Sequence, residues 1–341
     1  MTTPMADAST LVGLPEIEAA AERLRDVTVV TPLLAFGPTE PDGSASAYLK
    51  PESLQPIGAF KLRGAYNAIA QLGPAERAAG VVAHSSGNHA QGVARAARLL
   101  GVPALIVMPS NASATKIERT RADGAEVIMV GPSSDERAAV AAELAAERKL
   151  TLIPPYDDAR VIAGQGTIGL EIVRQLAALG IDGPFTVLVP VGGGGLASGV
   201  VTAVMALRPD ARVYGVEPAL AADGRDSLAA GHIVRWAPEA TDQTIADGQR
   251  TTALGALPFL HIVNALEAIL TVEEDDICRA MVRAQREAGL VLEPSGATAL
   301  AALLFALPRG VPRPIVAVLS GGNVDPERYA ALIARGEAAG G

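Results

Sequence analysis

The chain has 341 residues, 49% hydrophobic and 19% charged, which excludes a disordered chain and leaves room for two domains or one large one. A formal charge of −9 with only 3% aromatic residues excludes a nucleic-acid surface, which needs basic patches and stacking rings. The single cysteine, Cys278, excludes an intrachain disulfide framework or a multi-cysteine metal site and fits a reducing cytoplasm.

The N-terminus lacks a basic start followed by an apolar core, and reads as a polar tail leading to a helix from about Pro15. Beyond it, short β-branched runs alternate with longer alanine- and leucine-rich segments of helical period. Strands are predicted at 46–50, 80–84, 104–108, 125–130, 186–190, 212–217, 268–272 and 314–319. Helices are predicted at 60–72, 88–100, 113–122, 134–149, 164–179, 195–207, 273–288, 295–306 and 325–337. Repeated βα units imply parallel sheets with helices on both faces, whose ligands sit beyond the carboxyl ends of the strands. Residues 183–207 carry no charge, yet four consecutive glycines interrupt them, so strand, loop and helix replace any membrane span.

In GAFKLRGAYNAI, residues 58–69, Lys61 precedes a mostly apolar helix. The chain holds four lysines, Lys50, Lys61, Lys116 and Lys149, among its 28 basic residues. Lysine, unlike arginine, loses its proton when desolvated and then serves as a base or forms a Schiff base. A solvated surface lysine is the competing reading.

Four loops follow strands. HSSGNHAQG, residues 84–92, offers hydroxyls, an amide and an imidazole at a helix N-terminus, an anion-binding arrangement or a cluster of cap residues. VLVPVGGGGLASG, residues 187–199, lets the backbone approach a phosphate at Gly192, Gly193, Gly194 and Gly195. Gly192, Gly194 and Ala197 also satisfy G-x-G-x-x-A, with Glu217 about twenty residues on, so an NAD-dependent Rossmann oxidoreductase competes on this segment. In VEPALAAD, residues 216–223, Glu217, a carbonyl near Ala221 and Asp223 offer oxygen ligands to a hard cation. In VLSGGNVD, residues 318–325, Ser320 ends the last strand, where it either meets a buried heteroatom or caps the final helix.

Taken together, a lysine after GAF, then SSGNH, GGGG and SGGN resemble, in order and spacing, the serine/threonine dehydratase and serine racemase family of pyridoxal-phosphate enzymes. The resemblance runs from about Lys50 to Asp325 and includes VIAGQGTIGLEI (161–172), TIADG (244–248) and LEPSGA (292–297). It implies a fold-type-II (tryptophan-synthase-beta-like) α/β architecture with two parallel-sheet domains, a large one of residues 1–79 and 156–341 and a small mobile one of 80–155. It implies Lys61 as the lysine bonded to pyridoxal 5′-phosphate, Phe60 beside the cofactor ring and Asn88 as partner of its 3-hydroxyl. It further implies Gly192 to Gly195 around the phosphate and Ser320 facing the pyridine nitrogen. A neutral serine there makes the ring a weaker electron sink than a carboxylate would. Glu217, Ala221 and Asp223 match a divalent-cation site of racemase-like members, for Mg2+ or Ca2+.

Two departures from the family pattern stand out. Ala59 replaces a serine found in many members. Ser86 stands where bacterial threonine dehydratases often carry alanine, whereas racemases place a serine acid/base opposite the lysine. Only twenty-one residues follow Ser320, too few for a C-terminal regulatory domain.

The reading is a cytoplasmic lyase, homodimeric or homotetrameric, acting on a β-hydroxy amino acid such as L-threonine or L-serine and needing neither nucleic acid nor membrane. Lys61 is its expected base and Ser86 a second catalytic candidate. Ser85, Ser86, Asn88, His89 and Arg137 are the expected substrate ligands. Serine racemase and a non-catalytic ligand-binding relative remain alternatives, and the substituent at the substrate β-carbon stays open.

Overall fold

The structure is a computed structural model that describes residues 11–340 except 41, 42, 44, 86, 113, 132 and 133. Among the described residues the ten strands are Leu34–Thr39 (β1), Ala45–Pro51 (β2), Val81–His84 (β3), Ala104–Pro109 (β4), Glu126–Val130 (β5), Thr151–Leu152 (β6), Thr186–Pro190 (β7), Arg212–Pro218 (β8), Ala268–Val272 (β9) and Ile315–Leu319 (β10). Six form a sheet in the order β1-β2-β10-β7-β8-β9, and four form a second in the order β5-β4-β3-β6. Among the described residues β1 alone of these strands pairs antiparallel, along β2, and the other strand pairs are parallel. Parallel strands need helical crossovers, which the alanine-rich segments supply.

Both sheets are covered on two faces. On the six-stranded sheet, one core joins Leu188, Val216 and Ala317 to the helices Glu274–Ala288, Pro294–Ala301 and Pro326–Ala338. The opposite core joins Val187, Val189 and Val316 to Ala159–Ala178 and Gly195–Leu207. The four-stranded sheet takes its strands from residues 81–152 and packs Val81, Ala83 and Ile106 against the helices Lys61–Ala70 and Asn88–Leu100. Burial on both faces explains why the strands read as continuous apolar runs rather than alternating ones. The helix Lys61–Ala70 also contacts Ala159–Ala178, so it stands between the two layers and carries Lys61 at its first position. Among the described residues no helix is long and apolar enough to cross a membrane.

The eight predicted strands all appear. β1 and β6 were not anticipated, because β1 contains Gly37 and Pro38 within an edge strand and β6 has only two residues. The short helices Pro74–Ala79, Asp223–Ala230, Pro238–Thr241 and Ala256–Ile262 were also absent from the pattern, being too brief to show a helical period.

Candidate active site

The ends of β10, β7 and β3 and the start of the helix Lys61–Ala70 converge. Phe60 donates its backbone N–H to the Ser320 carbonyl at 3.1 Å, and Ala59 bridges Gly321, so the chain before Lys61 is laid along the residues after β10. Lys61 points its Nζ at the Pro155 carbonyl, 2.8 Å away, and 5.0 Å from the centroid of the Phe60 ring. Among the described residues no carboxylate pairs with it, and burial alone pulls its ammonium down to about 8. The side chain keeps some exposed surface while its amine is enclosed. It is therefore poised to act as a base or nucleophile near neutral pH.

The residue after Pro155 meets the glycine loop. A Cβ on Gly193 would fall 2.3 Å from Cδ1 of Tyr156, so the Tyr156 ring lies flat against that backbone. Gly194, at φ +91°, is the N-cap of the helix Gly195–Leu207 in the left-handed region that glycine tolerates. The N–H groups of Gly192, Gly193, Gly194 and Gly195 donate to no described residue. Open donors at a helix N-terminus form an anion cradle.

Asn88, first residue of the helix Asn88–Leu100, donates Nδ2 to Glu293 Oε1 at 2.5 Å and accepts from Asn323 Nδ2 at 2.8 Å. Burial, with Asp247 contributing, pushes Glu293 up to about 8. The Ser320 hydroxyl is buried and donates to the Ser295 carbonyl at 3.2 Å. Gly248 N–H donates to Ser295 Oγ at 2.8 Å, and Lys116 pairs with Asp247 at 3.0 Å, drawing the TIADG loop to the same place. A small polar space lies among Lys116, Asp247, Glu293 and Asn323.

The other predicted substrate ligands divide. Ser85 accepts from Gly87 N–H at 3.1 Å and forms the turn into the helix. His89 is buried and bonded to the Ile153 carbonyl at 2.8 Å, and burial with Lys61 nearby lowers it to about 3, so it is a neutral packed ring. Arg137 lies on the helix Ser134–Arg148, lowered by burial, and its charge helps depress His84 at the end of β3. Ser86 lies outside the described residues.

Glu217 and Asp223 are both fully buried. Glu217 accepts from the N–H groups of Gly224 at 3.0 Å and Arg225 at 2.9 Å, while neither carboxylate oxygen of Asp223 has a partner among the described residues. Burial drives Glu217 well up and Asp223 to about 7. Among the described residues no group of three or more His, Cys, Asp or Glu side chains is arranged to hold a metal. A site here rests on two carboxylates and the nearby Ala221 carbonyl. The orphaned Asp223 oxygens fit a hard cation, which would replace their missing partners.

Sequence reasoning assigned no role to Tyr156, Glu293, Asp247 or Asn323. Glu293 and Asp247 lie inside LEPSGA and TIADG, and an acid near glycine at the turn into a helix was the available signal. Nothing local marks Tyr156.

A family profile described as pyridoxal-phosphate dependent enzyme matches residues 24–321. The chain belongs to that family. This pyridoxal-phosphate dependent enzyme is 40% identical over 314 residues to the L-threo-3-hydroxyaspartate ammonia-lyase of Saccharomyces cerevisiae, covering 92% of this chain and 94% of the relative. It is 38% identical to the serine racemase of Schizosaccharomyces pombe, covering 97% and 100%. Among solved structures, the T.th. threonine deaminase superposes with a TM-score of 0.83 at 43% identity, covering 92% of this chain and 99% of the other. The architecture is accordingly fold type II. The open glycine-loop donors, the enclosed Lys61 amine and the buried Ser320 hydroxyl fit the phosphate, carbonyl and ring nitrogen of pyridoxal phosphate.

Proposed function

We propose that this enzyme is an ammonia-lyase that converts a β-hydroxy amino acid, L-threonine or L-serine first among them, to a 2-oxo acid and ammonia. The observation that carries this reading is the Lys61 amine, buried without a counter-charge and lowered to about 8, beside a glycine loop whose N–H groups are open. Gly192 to Gly195 hold the phosphate, Phe60 packs beside the ring, Asn88 meets the 3-hydroxyl and Ser320 faces the ring nitrogen. Bound pyridoxal phosphate supplies the electron sink for the pair left when the substrate Cα–H bond breaks. Lys61, neutral, takes that proton at Nζ. The β-hydroxyl leaves as water with a proton that the cofactor phosphate would supply, and hydrolysis yields the 2-oxo acid and ammonia.

Asn88 turns from Glu293 and Asn323 to the cofactor in this reading, and Lys61 leaves the Pro155 carbonyl. Ser85, Ser86 and Arg137 take the substrate carboxylate from the 80–155 unit, which closes over the cleft and excludes water. His89 supports that loop from behind. Glu217, Ala221 and Asp223 hold Mg2+ or Ca2+. The enzyme works as a cytoplasmic homodimer or homotetramer. The similarity to the ammonia-lyase of Saccharomyces cerevisiae and to the T.th. threonine deaminase supports this class.

A second reading, serine racemisation, is favoured by Ser86 in SSGNH and by the similarity to the Schizosaccharomyces pombe serine racemase. The deciding experiment measures 2-oxo acid release from L-threonine, L-serine and L-threo-3-hydroxyaspartate, with chiral analysis of the residual amino acid. Absence of 2-oxo acid from every substrate overturns the lyase assignment.

A further inference from the structure

Two residues beyond Lys61, Arg63 is almost completely buried in an ion-pair cluster that the chemistry above does not use. Its Nε and Nη2 donate to the two oxygens of Glu52 at 2.8 and 3.0 Å, and Nη1 and Nη2 donate to the two oxygens of Glu171 at 2.6 and 3.0 Å. Nη1 also donates to Thr167 Oγ1 at 3.1 Å, and Nη2 to the Val29 carbonyl at 3.2 Å. Lys50 completes the cluster, bonding Glu171 and the Thr31 carbonyl at 2.6 Å each and Gln175 at 2.9 Å. Two cations and two anions cancel, so no charge is left uncompensated. Every other member lies outside the helix Lys61–Ala70: Lys50 on β2, Glu52 in the turn after it, Thr167, Glu171 and Gln175 on Ala159–Ala178.

At about 100° per residue, side chains two apart leave a helix about 200° apart, on opposite sides. Arg63 therefore grips the scaffold behind the helix while Lys61 faces the cleft. Two carboxylates held bidentate by one planar guanidinium fix rotation as well as position, which a single contact does not. The Gly64 N–H donates to Gln165 Oε1 at 3.2 Å and holds the same turn to the same neighbouring helix.

We propose that Arg63 is a positioning residue for the Lys61 amine: its two carboxylate pairs set the rotation and height of the first helical turn, and so deliver Nζ to the cofactor carbonyl carbon. This rests on Lys61 being the lysine that bonds to the cofactor. A lysine at position 63 keeps the charge but has neither the fork nor the second bidentate pair.

The test compares wild type, Arg63→Lys and Glu171→Gln as cofactor-free proteins. Imine formation with pyridoxal phosphate is followed by absorbance, and the adduct is trapped with borohydride and mapped. Binding of pyridoxine 5′-phosphate, which has the phosphate but no aldehyde, is measured alongside. Arg63→Lys is expected to bind pyridoxine 5′-phosphate within about twofold of wild type yet form the imine at least about tenfold more slowly. Wild-type imine rates in a folded Arg63→Lys, or an equal loss of both readouts, overturn the proposal. Should Arg63→Lys fail to fold, Glu171→Gln, which keeps the Glu52 pair, is expected to slow imine formation at least about threefold with analogue binding unchanged. No slowing there overturns the proposal equally. A wild-type adduct that maps away from Lys61 instead removes the functional reading on which Arg63 depends, and the peptide map separates that failure from the others.

Discussion

Asn88 and Glu293, 205 positions apart in the chain, meet in a 2.5 Å hydrogen bond that joins the SSGNH helix to the LEPSGA loop. The bond is compatible with a protonated carboxyl, because burial, with Asp247 contributing, pushes Glu293 up to about 8. In the unfolded chain this acid ionises near its ordinary value of 4.5, so between that pH and about 8 the folded state holds one more proton. Stability contributed by the neutral carboxyl is full below 4.5 and declines as pH rises to about 8. The cofactor-free protein should therefore lose stability over this interval, and Glu293→Gln should flatten the decline. Denaturant melts at a series of pH values measure it; parallel curves for the two proteins contradict the account.

Lys61 shifts the opposite way. A lysine at about 8 is about one-tenth neutral at pH 7, against about one part in three thousand at the ordinary value. Imine formation between the cofactor-free protein and pyridoxal phosphate should rise with pH through an apparent pKa near 8, and Lys61→Ala should abolish both the adduct and turnover. A profile still climbing steadily toward pH 10 would show that the amine is not desolvated.

Gly193 lies too close to Tyr156 to accept a side chain, since a Cβ would be 2.3 Å from the ring. Gly193→Ala should weaken pyridoxal-phosphate affinity at least about tenfold, roughly 1.4 kcal/mol. Removing the ring in Gly193→Ala with Tyr156→Ala should recover part of the loss. Fluorescence titration of the cofactor distinguishes recovery from additive damage.

The carboxylate of Asp223 has no partner among the described residues. If Mg2+ or Ca2+ binds there, saturating the site a hundredfold should stabilise the protein by about 2.7 kcal/mol. Asp223→Asn should melt at the same temperature with or without the ion. A wild-type melting temperature that ignores both ions and exhaustive chelation returns Glu217 and Asp223 to a structural role.

In the proposed reading Ser86 governs the balance of products. Racemisation requires a proton donor on the face opposite Lys61, while elimination requires only the Lys61 face and a departing hydroxyl. L-serine should yield mainly 2-oxo acid with a minor D-serine fraction, and Ser86→Ala should cut that fraction about tenfold or more while elimination falls less. D-serine in excess of the 2-oxo acid would replace the lyase reading with the racemase one.

The strand-end positions of the glycine loop and Ser320 were legible because alternating βα segments announce a parallel sheet, and such sheets put their loops at one edge, whereas Lys61 stood out as one of four lysines, set before an apolar helix. What the amino-acid order concealed is pairing at a distance. Nothing around Arg63 marks it as the centre of a buried cluster, since its partners Glu52, Thr167 and Glu171 come from separate segments. Tyr156 was equally hidden, because its role depends on a glycine loop more than thirty positions away meeting it in space. The edge strand β1 escaped because Gly37 and Pro38 interrupt its pattern, and an edge is where a sheet tolerates them.

The placing of β10 between β2 and β7 has a consequence for synthesis. Leu49 has no permanent neighbour on that side until Ala317 has been made, whereas β3 to β6 are contiguous and can pair while the ribosome is still extending the chain. The smaller sheet is thus able to form early, and the larger one stays open in the middle, with two hydrogen-bonding edges exposed, until β10 emerges. Loss of the segment carrying β10 would leave those two edges permanently open, and aggregation of the nascent chain, rather than a slower enzyme, would be the result.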